Sequence, residues 1–582
     1  MSNVLDRYKN LEYTLPAENK AWQVYEAGVE NFGKSGKPDV LPIPKPKNNE
    51  VLLRVDAIGI CFSDVKLITQ GSTHARITGR DLAANPVIAG HEPSLTVIEA
   101  GEDYKDKYKP GDRFIVQADV YYKGVNLAYG YALPGGMQQF CLVGEEVLNG
   151  DEGSYLIPIQ KAETGYAEAA LVEPWTCVIA SYRIHPRKTL KPGGTALFVA
   201  VEDGDYRVGE GICAGGPPAK LILSGVPESF EKTVCNCSGC NAEVIKIGKL
   251  GAESVKALRE ERTGDKGFDD IVILGTPEPE LAEALATAVG KNGVMAIVAD
   301  KPMARPIKID VGRVHYDYID YIGTNTGRIS DAYTRSRTSE SVPNGSAWFI
   351  GAAGPMGQMH VHRAVSKPDG PKKMFCTDAD NARLEYLKAG IADAAKANGV
   401  EVVFLNPMEA GIEAQHKAAM ELTGGRGFDD IVLSAPVAAL VGSAIPYLAE
   451  GGLVNIFAGI VKGTCTDIDL SVTYMKGNRF VGSSGSRPQD MVDTLGFTES
   501  GELPTNSSLA AIGGIDAMAD GLRAVKEMRF PGKTVIFPHI EMPLTALPDL
   551  DKVAPSVYAK LKDGKFWTNE AEEELLSGKL AL

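Results

Sequence analysis

The chain has 582 residues, too many for one hydrophobic core, so about three domains are expected. Its hydrophobic share of 44%, charged share of 23% and net charge of −15 describe an ordinary globular protein without the basic footprint that nucleic-acid binding needs. No apolar run approaches the ~18 residues of a membrane span, and no basic N-terminal stretch leads into an apolar one, so no membrane partner is expected.

In chain order, residues 20–190 hold short apolar strands (VLLRVDAIGI, PVIAG, SLTVIEAG, RFIVQADV) broken by Gly, Pro and Asp. This pattern predicts an all-β domain, a distorted barrel, followed by a helix over 166–184. Three segments of this region carry metal-ligand chemistry: GICFSDVK around Cys61, VIAGHEPSLTVIEAG around His91 and Glu92, and LVEPWTCVIASYR around Glu173. Zinc takes Cys sulfur, His nitrogen and Glu oxygen, and an open catalytic site uses three protein ligands and leaves a fourth position for water or substrate. The loop GSTHARITGRDLAANP (71–86) offers His74, Arg76 and Arg80 to an anionic group, although basic residues in loops are commonly solvated. Nine cysteines, scattered and odd in number, fit reduced thiols in a cytoplasm better than a disulfide framework.

The middle of the chain is duplicated. TGDKGFDDIVILGTPEP (263–279) recurs as TGGRGFDDIVLSAPVAA (423–439), and YIGTNTGRISDAYT (321–334) as FVGSSGSRPQDMVDT (480–494). Upstream, GGTALFVAVEDGDYRVG (193–209) aligns with GSAWFIGAAGPMGQMH (345–360). Each copy reads as strand, turn, helix, strand, so the fold class is α/β, with two tandem Rossmann-like units, each a parallel sheet covered by helices. The expected divisions are 1–192, 193–340 for the first copy, 341–504 for the second, and a return segment with tail at 505–582.

The copies differ at the first turn. In the second, AWFIG runs into Gly351, Gly354, Pro355, Met356 and Gly357, where glycines admit a pyrophosphate to the N-terminus of the next helix. Asp378 follows at the distance of a ribose-binding carboxylate, favouring NAD over NADP, with Asp380 a weaker candidate. Arg383 completes the expected cofactor set. The first copy has Ala200, Asp203 and Tyr206 at the three glycine positions and Gly225 in place of Asp378. It is expected to be degenerate, without a dinucleotide site of the usual kind. Its Cys235, Cys237 and Cys240, with Cys213, are read first as loop thiols and second as a structural metal site.

The motifs GICFSDV, PVIAGHE, KPGDR, EP on a helix, GAAGPMG and RFPGKTVI together resemble the zinc-dependent medium-chain dehydrogenases, in the polyol, sorbitol and threonine dehydrogenase branch. The resemblance leaves out the N-terminal 18 residues, the first Rossmann-like copy and the tail. It implies a GroES-like domain holding one catalytic zinc through Cys61, His91 and Glu173, with Glu92 as an exchangeable carboxylate at the metal. It further implies that Ser63 passes the proton of the substrate hydroxyl and that Asp64 orients the ligand imidazole. Lys66 stands where many relatives have a His, a departure that leaves the proton exit open. The usual four-cysteine loop is missing from QADVYYKGVNLAYGYALPGGMQQF, so no structural zinc is expected there, and Tyr121, Tyr122, Tyr129 and Tyr131 are expected to pack or form a subunit contact.

The implied activity is hydride transfer between NAD(H) and a secondary alcohol or ketone of a polyol, sugar or sugar derivative. A hydroxy amino acid or simple alcohol also satisfies the pattern. Two other readings are a bifunctional enzyme whose first copy has its own role and a scaffold that keeps only the fold. A homodimer or homotetramer is the expected assembly.

Overall fold

The computed structural model describes residues 4–237 and 242–581. The chain divides into two compact units, Met1–Ile179 with Gly485–Leu582, and Ala180–Ser484.

The first unit is built on the strand Val51–Ile60, all ten residues of which are buried. Glu92–Ala100, Phe140–Val143 and the late strand Lys533–Phe537 each pair with it in antiparallel fashion. Lys533 therefore returns from the far end of the chain to the strand that leads into Cys61. The helix expected over 166–184 forms as two pieces, Tyr166–Ala170 and Val172–Ser181. Helix Pro488–Glu499, placed with the second copy on sequence grounds, belongs to this unit, where Met491 and Leu495 pack with Ile115, Ile157 and Val172.

The C-terminal segment is integral to the same unit. In helix Asn569–Lys579, the buried Glu572 accepts hydrogen bonds from the amides of Tyr166 and Ala167 (2.8 Å to Ala167). A carboxylate there satisfies otherwise orphaned N–H groups at a helix start. At the other terminus Tyr8 donates to Asp56 (2.8 Å), which also pairs with the buried Arg54 (2.7 Å).

The second unit holds both copies in one twelve-stranded sheet. The first copy supplies β1 (Thr195–Ala200), β2 (Lys220–Ser224), β3 (Glu243–Ile247), β4 (Phe268–Leu274), β5 (Val289–Val298) and β6 (Asp320–Thr324). The second supplies β7 (Ser346–Ile350), β8 (Lys373–Thr377), β9 (Glu401–Leu405), β10 (Phe428–Leu433), β11 (Leu448–Ile456) and β12 (Arg479–Val481). The order is β3-β2-β1-β4-β5-β6-β12-β11-β10-β7-β8-β9, so each copy is a complete parallel Rossmann sheet of order 3-2-1-4-5-6.

The copies meet where β6 pairs antiparallel with β12, Tyr321 opposite Phe480. These two residues are the same position of the repeat. A ribbon beside the sheet, Ile307–Asp310 against Cys465–Ile468, puts Lys308 opposite Asp467, residues separated by the same sequence interval. A position facing its own counterpart marks a two-fold axis. The second unit is a pseudo-symmetric pair.

One sequence expectation needs correction. The first copy has no helix between β1 and β2: residues 201–219 run as turns and irregular chain. The cause is local, because Gly209, Gly211 and Gly216 all take positive φ and Pro217-Pro218 follow, which no α-helix accommodates. The copy has thus lost the helix start itself as well as its turn glycines. Cys240 and the side chain of Cys237, two of the thiols read as a loop or structural metal cluster, lie outside the described residues.

Candidate functional site

Cys61 sits at the junction of strand Val51–Ile60 and helix Phe62–Gln70, at the helix N-cap. Asp64, in the first turn and fully buried, accepts from the Cys61 amide through Oδ2 (2.9 Å) and from the Gly90 amide through Oδ1 (3.2 Å). The same Oδ1 lies 3.1 Å from His91 Nδ1. It therefore fixes the imidazole and leaves Nε2 to face a ligand. Burial disfavours the charged imidazole, but Asp64 outweighs it and holds His91 well above the ordinary histidine range. Gly90 is a glycine by necessity, with φ +96° and Ile58 and Met137 where a Cβ would stand.

Glu92 enters from the same segment and faces Gly59 across the sheet. Its Oε1 accepts from Lys533 Nζ at 2.6 Å, both side chains being buried, while Oε2 is buried without a hydrogen-bond partner. The ligand atoms of Cys61, His91 and Glu92 lie within 4.8 Å of one another. A thiol, an imidazole and an unsatisfied buried carboxylate oxygen form a donor set that fits a divalent zinc ion.

Glu173 is buried but outside that close set. Burial pushes it up to about 7, with His91 opposing the shift and Glu92 adding to it, so it shares the electrostatics of the cluster. One turn later, Cys177 Sγ lies 4.0 Å from Glu173 Oε1. The structure thus brings Cys61, His91, Glu92 and Asp64 together, with Glu173 alongside. Ser63, in the first turn of the Cys61 helix, is half-buried.

Sequence reasoning did not single out Lys533 or Cys177. Lys533 had a signal in RFPGKTVI, whose lysine ends up against Glu92. Tyr131 was expected to pack or to form a subunit contact. Its ring lies 5.7 Å from that of His91 and 5.5 Å from that of His74. Tyr129 is fully buried, with its hydroxyl 3.4 Å from Cys141 Sγ.

In the second unit the glycine turn joins β7 to helix Pro355–Ser366. Gly351 has φ +75°, and a Cβ on Gly357 would stand 2.1 Å from the Gly351 carbonyl oxygen. The helix can pack this close only because residue 357 is glycine. At Gly354, the N-cap, the nearest atom to an added Cβ is 3.7 Å away, which leaves open space before the helix start. Pro355 and Met356 open the helix. Asp378, just after β8, accepts from the Ala353 amide through Oδ2 (3.0 Å) and from the Asp380 amide through Oδ1 (3.2 Å). Asp380 instead caps helix Asn381–Asn398, accepting from the Arg383 amide at 3.0 Å. The turn, Asp378 and a free helix start fit a dinucleotide pyrophosphate and ribose.

Residues 47–178 match the alcohol dehydrogenase GroES-like domain. Mannitol-1-phosphate 5-dehydrogenase of Aliivibrio fischeri is 22% identical over 550 residues, 92% of this chain and 93% of that protein. L-sorbose 1-phosphate reductase of Klebsiella pneumoniae is 24% identical over 309 residues (50% and 73%). Sorbitol dehydrogenase of Bacillus subtilis is 26% identical over 325 residues (52% and 82%). Among solved structures, an alcohol dehydrogenase from Thermotoga maritima shares the fold, with a TM-score of 0.50 at 13% identity over 90% of this chain and 100% of that one. Together with the motifs, these likenesses support a zinc-type medium-chain dehydrogenase of the polyol branch, and the solved structure shows the shared fold.

Proposed function

We propose that this chain is a zinc-dependent oxidoreductase that moves hydride between NAD(H) and a secondary alcohol or ketone of a polyol or its phosphate. The observation that carries this reading is the Cys61–His91–Glu92 donor set, with its unsatisfied carboxylate oxygen. Cys61, His91 and Glu92 would hold the zinc, with Glu173 as the further carboxylate that exchanges with Glu92. When bound, zinc supplies Lewis acidity at the substrate oxygen and NAD accepts the hydride.

The protein's own groups do the rest. Asp64 keeps the His91 ring oriented through Nδ1. Lys533 neutralises one Glu92 oxygen and leaves the other for the ion. Ser63 Oγ would relay the substrate's hydroxyl proton towards solvent, accepting it while releasing its own, and the relay would run backwards in reduction. Gly351, Gly354, Pro355, Met356 and Gly357 receive the pyrophosphate, and Asp378 with Arg383 receives the adenosine ribose, favouring NAD over NADP.

Support for a polyol substrate comes from the relatives, two of which are named for 1-phosphate substrates and one for sorbitol. Among the described residues, Cys61, Cys141, Cys177, Cys376 and Cys465 form no disulfide, which suits a cytoplasmic setting. No described helix is long and apolar enough to cross a membrane. Assembly as a homodimer or homotetramer would use surfaces other than the β6–β12 edge, which the chain fills itself. The deciding experiment is an NAD-reduction screen over polyols, sugars, their phosphates and hydroxy acids, with zinc-stripped protein as control. Turnover that is unchanged in the stripped protein sinks the reading.

A further inference from the structure

The helix that starts at Cys61 carries Lys66 on its second turn, and the loop after it carries His74 and Arg76. His74 and Arg76 are tied to the His91 side of the donor cluster through one ring. Tyr131 lies between His91 and His74, at 5.7 and 5.5 Å, and the Arg76 guanidinium sits over its face at 4.7 Å. Tyr131 therefore touches the candidate ligand imidazole as well as His74 and the Arg76 guanidinium.

Arg76 is positioned by two contacts and still reaches solvent. Its side chain is 37% exposed, its guanidinium lies over the Tyr131 ring, and Nη2 donates to Asp119 Oδ1 at 2.7 Å. A guanidinium presents five N–H donors in a planar fork suited to bidentate contact with phosphate or carboxylate. His74 Nδ1 accepts from the Arg76 amide at 3.3 Å, which leaves its Nε2 as a donor. Burial first, and then the charges of Arg76 and Lys66, lower the His74 pKa, which favours the neutral ring.

Arg80 behaves differently. It donates to the carbonyls of Asn85, Ala132 and Pro86 and to Asn85 Oδ1, so it locks the loop. Of the three basic loop residues, only His74 and Arg76 point to a ligand.

We propose that Arg76 and His74, with Lys66 beside them, form a subsite for a phosphate carried by the polyol whose hydroxyl reaches the metal. The proposal rests on the polyol dehydrogenase reading and selects the phosphorylated substrate class within it. Asp119 orients Arg76 through its 2.7 Å contact with Nη2.

The test compares D-mannitol with D-mannitol 1-phosphate, and D-sorbitol with D-sorbitol 6-phosphate, on the zinc-loaded wild type, Arg76→Gln and Arg76→Lys. The expected result is a preference for the phosphorylated member of at least a hundredfold in kcat/KM. In Arg76→Gln that ratio should fall at least tenfold, through KM rather than kcat, with partial recovery in Arg76→Lys. Equal use of both members, or a ratio unchanged by Arg76→Gln, overturns the subsite. Calorimetric binding of the two phosphorylated polyols to the same proteins reads the subsite without turnover. If none of the four compounds is oxidised, the dehydrogenase reading fails on these substrates, while binding weakened tenfold in Arg76→Gln still supports the subsite and unchanged or absent binding refutes it.

Discussion

Gly59 stands opposite Glu92 in the central antiparallel pair, and the Glu92 Oε2 atom occupies the space where a Gly59 side chain would be, 2.2 Å from the position of its Cβ. The missing methyl group of one strand is thus the room for a carboxylate of the next. Gly59→Ala should displace that oxygen, with an overpacking cost of about 1–3 kcal/mol. Zinc per chain and turnover should both drop while the fold survives, as read by metal analysis and thermal unfolding. Full zinc content in Gly59→Ala would show that Glu92 is not needed near the ion.

Chelation should remove activity, and added zinc should restore it. Cys61→Ser should retain the cap of its helix but lose the soft thiolate, so zinc should not restore it to more than a few per cent of wild type. Atomic emission on gel-filtered protein, run beside the NADH assay, checks both.

The two carboxylates are separable. Glu92→Gln leaves the Lys533 ammonium buried without its counter-charge, a loss of about 3–5 kcal/mol in stability for a broken buried pair. Glu173→Gln breaks no such pair. Both should weaken zinc at least tenfold, yet only Glu92→Gln should lower the unfolding midpoint strongly. Denaturant titration of the two variants, with and without zinc, distinguishes them.

Gly354 and Gly357 should fail in different ways. Gly354→Asp meets open space, so the protein should fold normally and lose NADH binding through repulsion at the helix start. Gly357→Ala should instead destabilise the second unit, because its Cβ would press on the Gly351 carbonyl. NADH fluorescence titration and thermal melts read the two effects. Asp378→Ala should narrow the preference between NAD and NADP and also loosen the turn, since Asp378 holds the Ala353 amide.

Glu572→Gln should cost about 1–3 kcal/mol, the penalty for leaving a buried backbone donor unsatisfied, because an amide accepts through only one of its two heavy atoms. Chemical denaturation would show it. An unchanged midpoint would mean the C-terminal helix docks by its apolar face alone.

Much of this was legible in the sequence because it is local. GICFSDV places a thiol at a helix cap and a carboxylate in the first turn of the same helix, and GAAGPMG announces a strand, a turn and a helix start. The duplication was legible as repeated words, and with it the two Rossmann-like sheets. What was hidden depends on contacts far apart in the chain: Lys533 against Glu92, Glu572 against the start of helix Tyr166–Ala170, and Tyr131 between two histidines. The missing helix of the first copy was legible in principle from its glycines and the Pro217-Pro218 pair, but alignment with the intact copy favoured a helix there.

The junction of β6 with β12 has a thermodynamic consequence. Two separate chains joined through such an edge would part on dilution, and their stability would depend on protein concentration. Here the halves are covalently tethered, so each sees the other at a fixed effective concentration set by the connecting chain. Dilution cannot separate them. Because only one half retains the dinucleotide turn, one cofactor should bind per chain, with no like site across the pseudo-two-fold axis.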